Sequence, residues 1–220
     1  MVRRRGRTAA AFVTGVVAAL LAGAGAGAGQ AGTVPADAQV SSLPAVNAHA
    51  PAVVGRIDPV HSRIGFQIRT LLGQRIAGAF PRFEGEVEPQ ADGRHRVHLR
   101  LYAAQAEIPN HPRYSEWLRG PQFFDAARFP LVEFDSDPYP SSVSASGGAI
   151  TGQLSLRGTR LPETLSIQPA GCDRPGYDCD VVGRGVLSRG RYGMGGWDVM
   201  LKDRVVLEMH VRLDGRAPSP

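Results

Sequence analysis

Three residues whose types could support hydrolysis lie together in the stretch IDPVHSRIGFQI. Asp58, His61 and Ser62 are the acid, base and nucleophile types of a serine hydrolase. A catalytic triad, however, converges from separate elements beside an oxyanion hole, and no Gly-x-Ser-x-Gly elbow occurs in the chain. Adjacent residues of an extended backbone also point to opposite faces. We therefore interpret Asp58 and Ser62 as partners of the local backbone that set the turn into a strand, with catalysis as the alternative.

The two cysteines of the chain, Cys172 and Cys179, lie close together in GCDRPGYDCD. In an exported protein this spacing predicts a disulfide that closes one local loop, with Pro175 and Gly176 at the turn. A metal site is the alternative, but it would combine soft thiolates with hard carboxylates, and no histidine is near in sequence. We expect a disulfide, no metal site and no cofactor.

The N-terminus has the three parts of a secretory signal peptide. Four arginines lie in the first seven residues, an apolar run of 13 residues follows, and AGAGAGAGQA then offers several small-x-small cleavage sites. An uncleaved membrane anchor is the alternative, although a bilayer span needs about 20 apolar residues. We expect residues 1–31 to be a signal peptide, and the mature protein to be periplasmic without stable insertion in a membrane.

Charge in the rest of the chain is nearly balanced. The 220 residues carry a formal net charge of +5, but the first seven positions supply four of the positive charges. The other 21 basic residues accompany 20 acidic ones and form no dense basic face, so the sequence predicts no nucleic-acid partner.

The organisation of the chain changes at residue 55. Residues 32–54 are rich in Ala, Pro, Ser and Val without a sustained period, as in a flexible linker. Residues 55–214 consist mainly of short alternating runs with one apolar and one polar face, which is typical of antiparallel strands. Residues 215–220 form a short tail. The exception is 110–129, where a short helix should begin at Pro112 and end before Gly120. About eight strands can close into a barrel that holds one small ligand.

Five segments of this domain resemble, in the same order, the motifs of the polyisoprenoid-binding YceI-like family. They are DPVHSRIGF, GAFPRFEGEV, FFDAARFPLVEF, ITGQLSLRG and SRGRYGM. The family's Arg-Asp-x-His-Leu element has its counterpart in RYSEWLRG, where Arg113 matches and Trp117 replaces the histidine.

The resemblance implies an all-β, lipocalin-like antiparallel barrel in the bacterial periplasm. It also implies that the barrel holds a long apolar ligand, such as an isoprenoid chain or another lipid-like amphiphile. The polar residues that carry the family motifs are Asp58, His61, Ser62, Arg113 and Arg189.

The apolar faces of the strands are the candidate ligand-binding surface, because side chains turned inward would remove a hydrocarbon chain from water. The candidates are Ile64, Phe66, Ile68, Phe83, Leu99, Leu101, Phe134, Leu154, Leu156, Leu207 and Met209. We expect binding without catalysis. Two alternatives stay open, namely an enzyme that uses His61 as general acid or base on a small apolar substrate, and a non-binding stress-response module whose barrel is filled by side chains. A homodimer is also left open.

The N-terminal pattern predicts a mature chain that starts between Gly27 and Gly32, because small residues at the −3 and −1 positions direct signal-peptide cleavage. N-terminal sequencing of protein recovered from the periplasm measures the start directly. Full-length protein found in the membrane fraction would instead show that the segment is an anchor.

Overall fold

A computed structural model describes residues 55–215 of the chain. The expected signal peptide at 1–31, the expected linker at 32–54 and residues 216–220 of the expected tail lie outside the described residues. One antiparallel sheet dominates the described part. Its strands are β1 (Gly55–Arg56), β2 (Arg63–Thr70), β3 (Arg75–Ala79), β4 (Phe83–Pro89), β5 (Arg94–Tyr102), β6 (Leu131–Ser136), β7 (Tyr139–Pro140), β8 (Gly148–Leu156), β9 (Thr159–Ile167), β10 (Val181–Ser188) and β11 (Leu201–Val211).

Two short α-helices accompany the strands. Helix α1 (Pro112–Arg119) begins at a proline, which suits the first helical position because it needs no hydrogen-bond donor there. It ends before Gly120, so the expected short helix is confirmed. The four-residue helix α2 (Val143–Ser146) was not predicted, because one turn is too short to show a helical period. None of the helices within residues 55–215 has the length and apolarity that a membrane span requires.

The sheet closes on itself because two of its segments, β1–β2 and β3–β4, are each bent but stay paired with each other. The segment β1–β2 pairs with the segment β3–β4 along both halves, β1 with β4 and β2 with β3. On the outer sides, β11 pairs with β2 and β5 pairs with β4. With β1–β2 and β3–β4 taken as one strand each, and the two-residue β7 set aside, the wall has eight strands. The predicted lipocalin-like antiparallel β-barrel is thus confirmed.

Elements at the two ends of the barrel differ. At one end lie α1, the β2–β3 hairpin and residues 193–200, which form the later part of the connection from β10 to β11; we call this end the mouth. Between β3 and β5, the segment 103–111 completes the wall near the mouth through the backbone pair of Ala79 and Glu107. The disulfide loop and α2 lie at the opposite end, which we call the base.

Alternation along the strands separates an apolar interior from a polar exterior. On β2, Ile64, Phe66 and Ile68 are buried, whereas the residues between them are more exposed. Phe66 faces Gly78 across the β2–β3 pair, and a Cβ atom at Gly78 would lie only 2.1 Å from the ring of Phe66. Glycine at this position therefore lets the ring lie flat against the neighbouring strand.

The β8–β9 hairpin turns earlier than the sequence suggests. The glycine and proline of GTRLP suggest a turn over residues 158–162. However, Thr159 to Pro162 are already part of β9, and Pro162 pairs with Gln153. The turn is made by Arg157 and Gly158, which both have positive φ angles, 52° and 73°. This combination produces a two-residue turn whose twist matches that of the strands.

The disulfide between Cys172 and Cys179 is formed, as the spacing predicts, with 6.2 Å between the two Cα atoms. The loop that it closes packs against the end of the chain, because the Gly176 carbonyl accepts a hydrogen bond from the Leu213 amide at 2.7 Å. A structural disulfide is typical of a protein in an oxidising compartment.

We expect the Cys172→Ser, Cys179→Ser double variant to keep its fold, because the bridge closes only a local loop. The loop-entropy model gives a loss of about 2.5 kcal/mol in the free energy of unfolding for a loop of about eight residues. Urea unfolding followed by circular dichroism measures this loss. A double variant that cannot fold would show that the bridge holds the barrel together.

Candidate functional site

A cavity of about 400 Å³ lies inside the barrel and opens at the mouth. Its volume is within the range of known small-molecule sites. Apolar side chains from the sheet make up most of its wall. The strand residues among them include Ile64, Phe66, Ile68, Ile76, Leu99, Leu101, Val132, Phe134, Leu154, Leu156, Leu165, Leu187, Val205, Leu207 and Met209.

Three phenylalanines pack together on one side of the cavity. The ring centroids of Phe66 and Phe80 are 5.7 Å apart, those of Phe80 and Phe124 are 5.5 Å apart, and those of Phe66 and Phe124 are 6.1 Å apart. All three rings are tilted or edge-on to one another, which is the favourable arrangement for aromatic pairs. They form a rigid apolar surface that a hydrocarbon chain can contact.

The mouth is bordered by aromatic side chains from two elements. Tyr114 and Trp117 of α1 have ring centroids 5.4 Å apart, and Trp117 lies 5.3 Å from Trp197 of the 193–200 segment. All three residues also line the cavity. Tyr114 and Trp117 remain 47% and 44% exposed, so they connect the interior of the cavity with the outside.

The guanidinium of Arg189 fixes the 193–200 segment. Arg189 is almost completely buried, and its Nη1 donates to the carbonyls of Met194 and Gly196, the latter at 2.6 Å. Its Nη2 donates to Asp198 Oδ1 at 2.5 Å and to the Leu201 carbonyl at 3.2 Å. Because a guanidinium presents its donors in a rigid fork, one side chain holds this connection in place.

A polar cluster interrupts the apolar wall beside Arg189. The hydroxyl of Tyr192 donates to Glu163 Oε1 at 2.9 Å, and Arg191 Nη1 lies 3.4 Å from the same oxygen. Burial, followed by the hydrogen bond to Glu163, raises the pKa of Tyr192 above its usual value. The cluster thus contains a neutral phenol and a carboxylate that already has partners, and Glu163 lines the cavity.

The residues that resemble a hydrolase triad do not form one. His61 Nδ1 lies 2.5 Å from Asp58 Oδ2, and this hydrogen bond lowers the pKa of Asp58. Asp58 Oδ1 also accepts from the Val60 amide at 2.8 Å. The Ser62 hydroxyl is bonded to the backbone of Arg212, 150 residues away, donating to its carbonyl at 3.2 Å and accepting from its amide at 2.8 Å.

These contacts hold the bend between β1 and β2 against the end of β11. The predicted local role of Asp58 is borne out by the geometry, whereas Ser62 bonds a distant strand rather than the local backbone. The side chain of His61 is 70% exposed, and none of Asp58, His61 and Ser62 lines the cavity. Strand β2 separates them from the mouth, so these three motif residues lie away from the cavity.

The predicted ligand-binding residues are mostly brought together by the barrel. Ile64, Phe66, Ile68, Leu99, Leu101, Phe134, Leu154, Leu156, Leu207 and Met209 all line the cavity. Phe83 is buried but does not line it, and it lies at the start of β4, just after the bend between β3 and β4. Of the motif arginines, Arg189 lines the cavity, whereas Arg113 is exposed on α1 and does not.

Several residues of the site were missed by the sequence reasoning. Trp197 and Met200 reach the mouth from an irregular connection, and Thr70 and Gln74 from the ends of the first hairpin. Periodicity carries no signal outside regular strands, so only the high aromatic content near α1 could have indicated the mouth. Within residues 55–215, no group of three or more His, Cys, Asp or Glu side chains is arranged to hold a metal ion.

Comparison with known proteins identifies the domain. The model of the YceI-like domain matches residues 56–213, which is nearly the whole described part. The chain belongs to the YceI-like family. The five sequence motifs that resemble this family are therefore explained by common descent, and they are distributed over the strands and turns of the barrel.

Sequence relatives of this YceI-like chain are distant. A UPF0312 protein of Yersinia pestis (strain Pestoides F) is 28% identical over 116 residues, which cover 50% of this chain and 57% of the relative. The chain thus spans little more than half the length of that relative. A UPF0312 protein of Staphylococcus aureus (strain USA300) is 24% identical over 164 residues, with 73% of this chain and 93% of the relative covered.

Solved structures share the fold of this YceI-like chain. BcnA of Burkholderia cenocepacia has a TM-score of 0.55 and 17% identity, covering 70% of this chain and 98% of BcnA. A polyisoprenoid binding domain from Saccharophagus degradans, implicated in plant cell wall breakdown, has a TM-score of 0.53 and 12% identity. The match covers 73% of this chain and 97% of that domain. At these identities the likeness concerns the barrel itself.

We expect Arg189→Lys to loosen the mouth, because an ammonium group cannot replace the fork that reaches four carbonyls and a carboxylate. The loss in unfolding free energy should be about 3 kcal/mol, since several bonds to a buried charge are removed. Limited proteolysis should also cut within residues 193–200. Arg191→Lys is the matched control, because Arg191 is exposed and has one carboxylate partner. Equal effects of the two substitutions would contradict this role for Arg189.

Proposed function

We propose that this YceI-like protein is a periplasmic binding protein that carries a long apolar ligand in its barrel without chemical change. The ligand class is a polyisoprenoid or another lipid-like amphiphile. The observation that carries the proposal is the cavity of about 400 Å³, which is open at the mouth and lined mainly by apolar side chains. Two further candidate functions, catalysis and a filled barrel, receive less support from the geometry.

Burial of hydrocarbon supplies the affinity. Each methylene removed from water contributes about 0.8 kcal/mol, so ten buried carbons contribute about 8 kcal/mol. The loss of translational and rotational freedom on association opposes about half of this or more. The affinity therefore depends on the length of the chain that enters the cavity. The head group is a smaller contribution, and it stays at the mouth near Thr70 and Gln74.

The comparisons support the ligand class. One structural neighbour is named a polyisoprenoid binding domain, and it shares the barrel with this chain. Export to the periplasm is supported by the disulfide between Cys172 and Cys179, which needs an oxidising compartment to persist.

The placement of His61 argues against the enzyme that the sequence left open. A general acid or base must come within hydrogen-bonding distance of its substrate. His61 is exposed, bonded to Asp58 and outside the cavity. The cavity itself argues against a barrel filled by side chains, because its volume is unoccupied by protein atoms.

Affinity for a homologous series of isoprenoid alcohols should rise with each added unit until the cavity is full, since each unit buries more methylenes and methyl groups. Competition with a fluorescent fatty-acid analogue measures this series. Affinity that stays constant across the series would remove the proposal.

Leu154→Lys should reduce the affinity for these alcohols by at least tenfold, because it places a charge against the hydrocarbon. Ser155→Lys is the matched control, since Ser155 is the next residue of β8 and points to the outer wall between Glu133 and Arg160. Circular dichroism of both variants separates a loss of binding from a loss of fold. Equal affinity of both folded variants would contradict binding inside the barrel.

A further inference from the structure

The mouth carries a group of exposed apolar side chains. Leu71 and Leu72 form the tip of the β2–β3 hairpin and are 53% and 92% exposed. Val199 and Met200 precede β11 and are 84% and 55% exposed. The two tips are joined, because the Leu71 amide donates to the Met200 carbonyl at 2.9 Å. We call Leu71, Leu72, Val199 and Met200 the apolar rim.

The apolar rim is unusual because exposed apolar side chains are concentrated at one end of the barrel. Of the eight large apolar residues that are exposed within residues 55–215, six lie at the mouth, the rim together with Tyr114 and Trp117. Apolar side chains concentrated at one end of a barrel, with a tyrosine and a tryptophan among them, indicate a surface that is covered in use. Tyrosine and tryptophan are also the side chains preferred at the boundary between water and lipid.

A set of cations surrounds one side of the rim. Arg69 of β2 and Arg75 of β3 face each other in the strand pair nearest the hairpin tip. Lys202 and Arg204 lie in the irregular stretch of β11 beside Arg69. All four side chains belong to exposed residues. We call Arg69, Arg75, Lys202 and Arg204 the cationic collar.

The cationic collar differs from the cations elsewhere on the described surface. None of its four members has a carboxylate partner within residues 55–215. Arg184, Arg100 and Arg160, on the outer wall, are paired with Glu208, Glu133 and Asp135. Of the two acids nearest the collar in sequence, Asp198 is paired with Arg189, whereas Asp203 is bonded to the neutral Gly190 amide and keeps its negative charge. The four cations of the collar still outnumber this one acid, so the collar presents a net positive charge.

We propose that the mouth docks on the surface of a bilayer that contains anionic phospholipid. The apolar rim enters the region between head groups and acyl chains, and the cationic collar remains at the level of the phosphates. The proposal rests on the proposed function, since docking places the open end of the cavity against the membrane from which an apolar ligand would enter without crossing water.

The charge of the mouth favours an anionic bilayer over a second copy of the chain as its partner. Two copies related by a twofold axis would bring the two cationic collars toward each other, and like charges at an interface oppose association. An anionic bilayer offers the complementary charge, and each Lys or Arg near such a surface strengthens binding about fivefold. Salt should weaken this contribution, because exposed charges are screened.

Co-sedimentation with vesicles tests the proposal on the protein recovered after export. Vesicles of equal parts phosphatidylcholine and phosphatidylglycerol should bind the protein more tightly than vesicles of phosphatidylcholine alone. The Arg69→Gln, Arg75→Gln variant should lose about 25-fold in affinity for the anionic vesicles, about fivefold for each cation. The matched control is Arg56→Gln, Arg63→Gln, which removes the same charge from exposed residues away from the mouth and should lose much less.

The apolar rim is tested in the same assay with Leu72→Ser. This substitution should lower the affinity for the vesicles roughly tenfold, because one leucine side chain is no longer buried in lipid. Val60→Ser is its control, since Val60 is 82% exposed in the turn at 58–62, away from the mouth. Both substitutions are at exposed turn positions, so the fold should be unaffected.

Three results would overturn membrane docking. The first is wild-type protein that does not bind anionic vesicles. The second is an equal loss of vesicle affinity in the mouth variants and in their controls. The third is a dimer that Leu72→Ser dissociates, in a protein that does not bind vesicles. The isoprenoid series measured without vesicles keeps the two proposals apart. Leu72→Ser and the Arg69→Gln, Arg75→Gln variant should retain the affinity for those alcohols, since none of these residues lines the cavity. Failed docking with intact ligand binding would therefore remove this inference alone.

Discussion

The structure depends on a complete circuit of backbone hydrogen bonds around the barrel. A cavity of about 400 Å³ has no side chains within it to support the wall, so the strands themselves must hold it open. They do so because β1–β2 and β3–β4 are each bent and pair along both halves, which leaves neither arm as a long free edge. A closed circuit fixes the distance between opposite strands, and the apolar faces can then surround a space rather than collapse into it.

The base and the mouth of the barrel are held together by different kinds of contact. At the base, Ser62 bonds the backbone of Arg212, and the disulfide loop packs beside them, so this end is held by contacts between distant parts of the chain. At the mouth, the buried guanidinium of Arg189 organises an irregular connection that carries Trp197 and Met200. Exposed side chains gather around the opening where the regular hydrogen bonding ends, because irregular segments can place them there.

Sequence reasoning succeeded where the chain is periodic. The alternation of Ile64, Phe66 and Ile68 was sufficient to identify both the strand and its inward face, and the five motifs identified the family. It failed where position depends on contacts across the fold. Neither the partner of Ser62 nor the absence of Phe83 from the cavity follows from spacing, because neither is determined by the period of a single strand. Residue types at the mouth likewise gave no hint that Arg189 would be buried among carbonyls.

The last of the strands within residues 55–215 also completes the circuit. Strand β11 lies between β10 and β2, and the bond between Ser62 and Arg212 joins positions 150 residues apart. A ribosome releases β2 early, yet β2 has no neighbour other than β3 until β11 is made. Pairing over such a separation is slow compared with local hairpin formation. The barrel therefore closes only after β11 has been made, and until then the chain is open and accessible to other proteins.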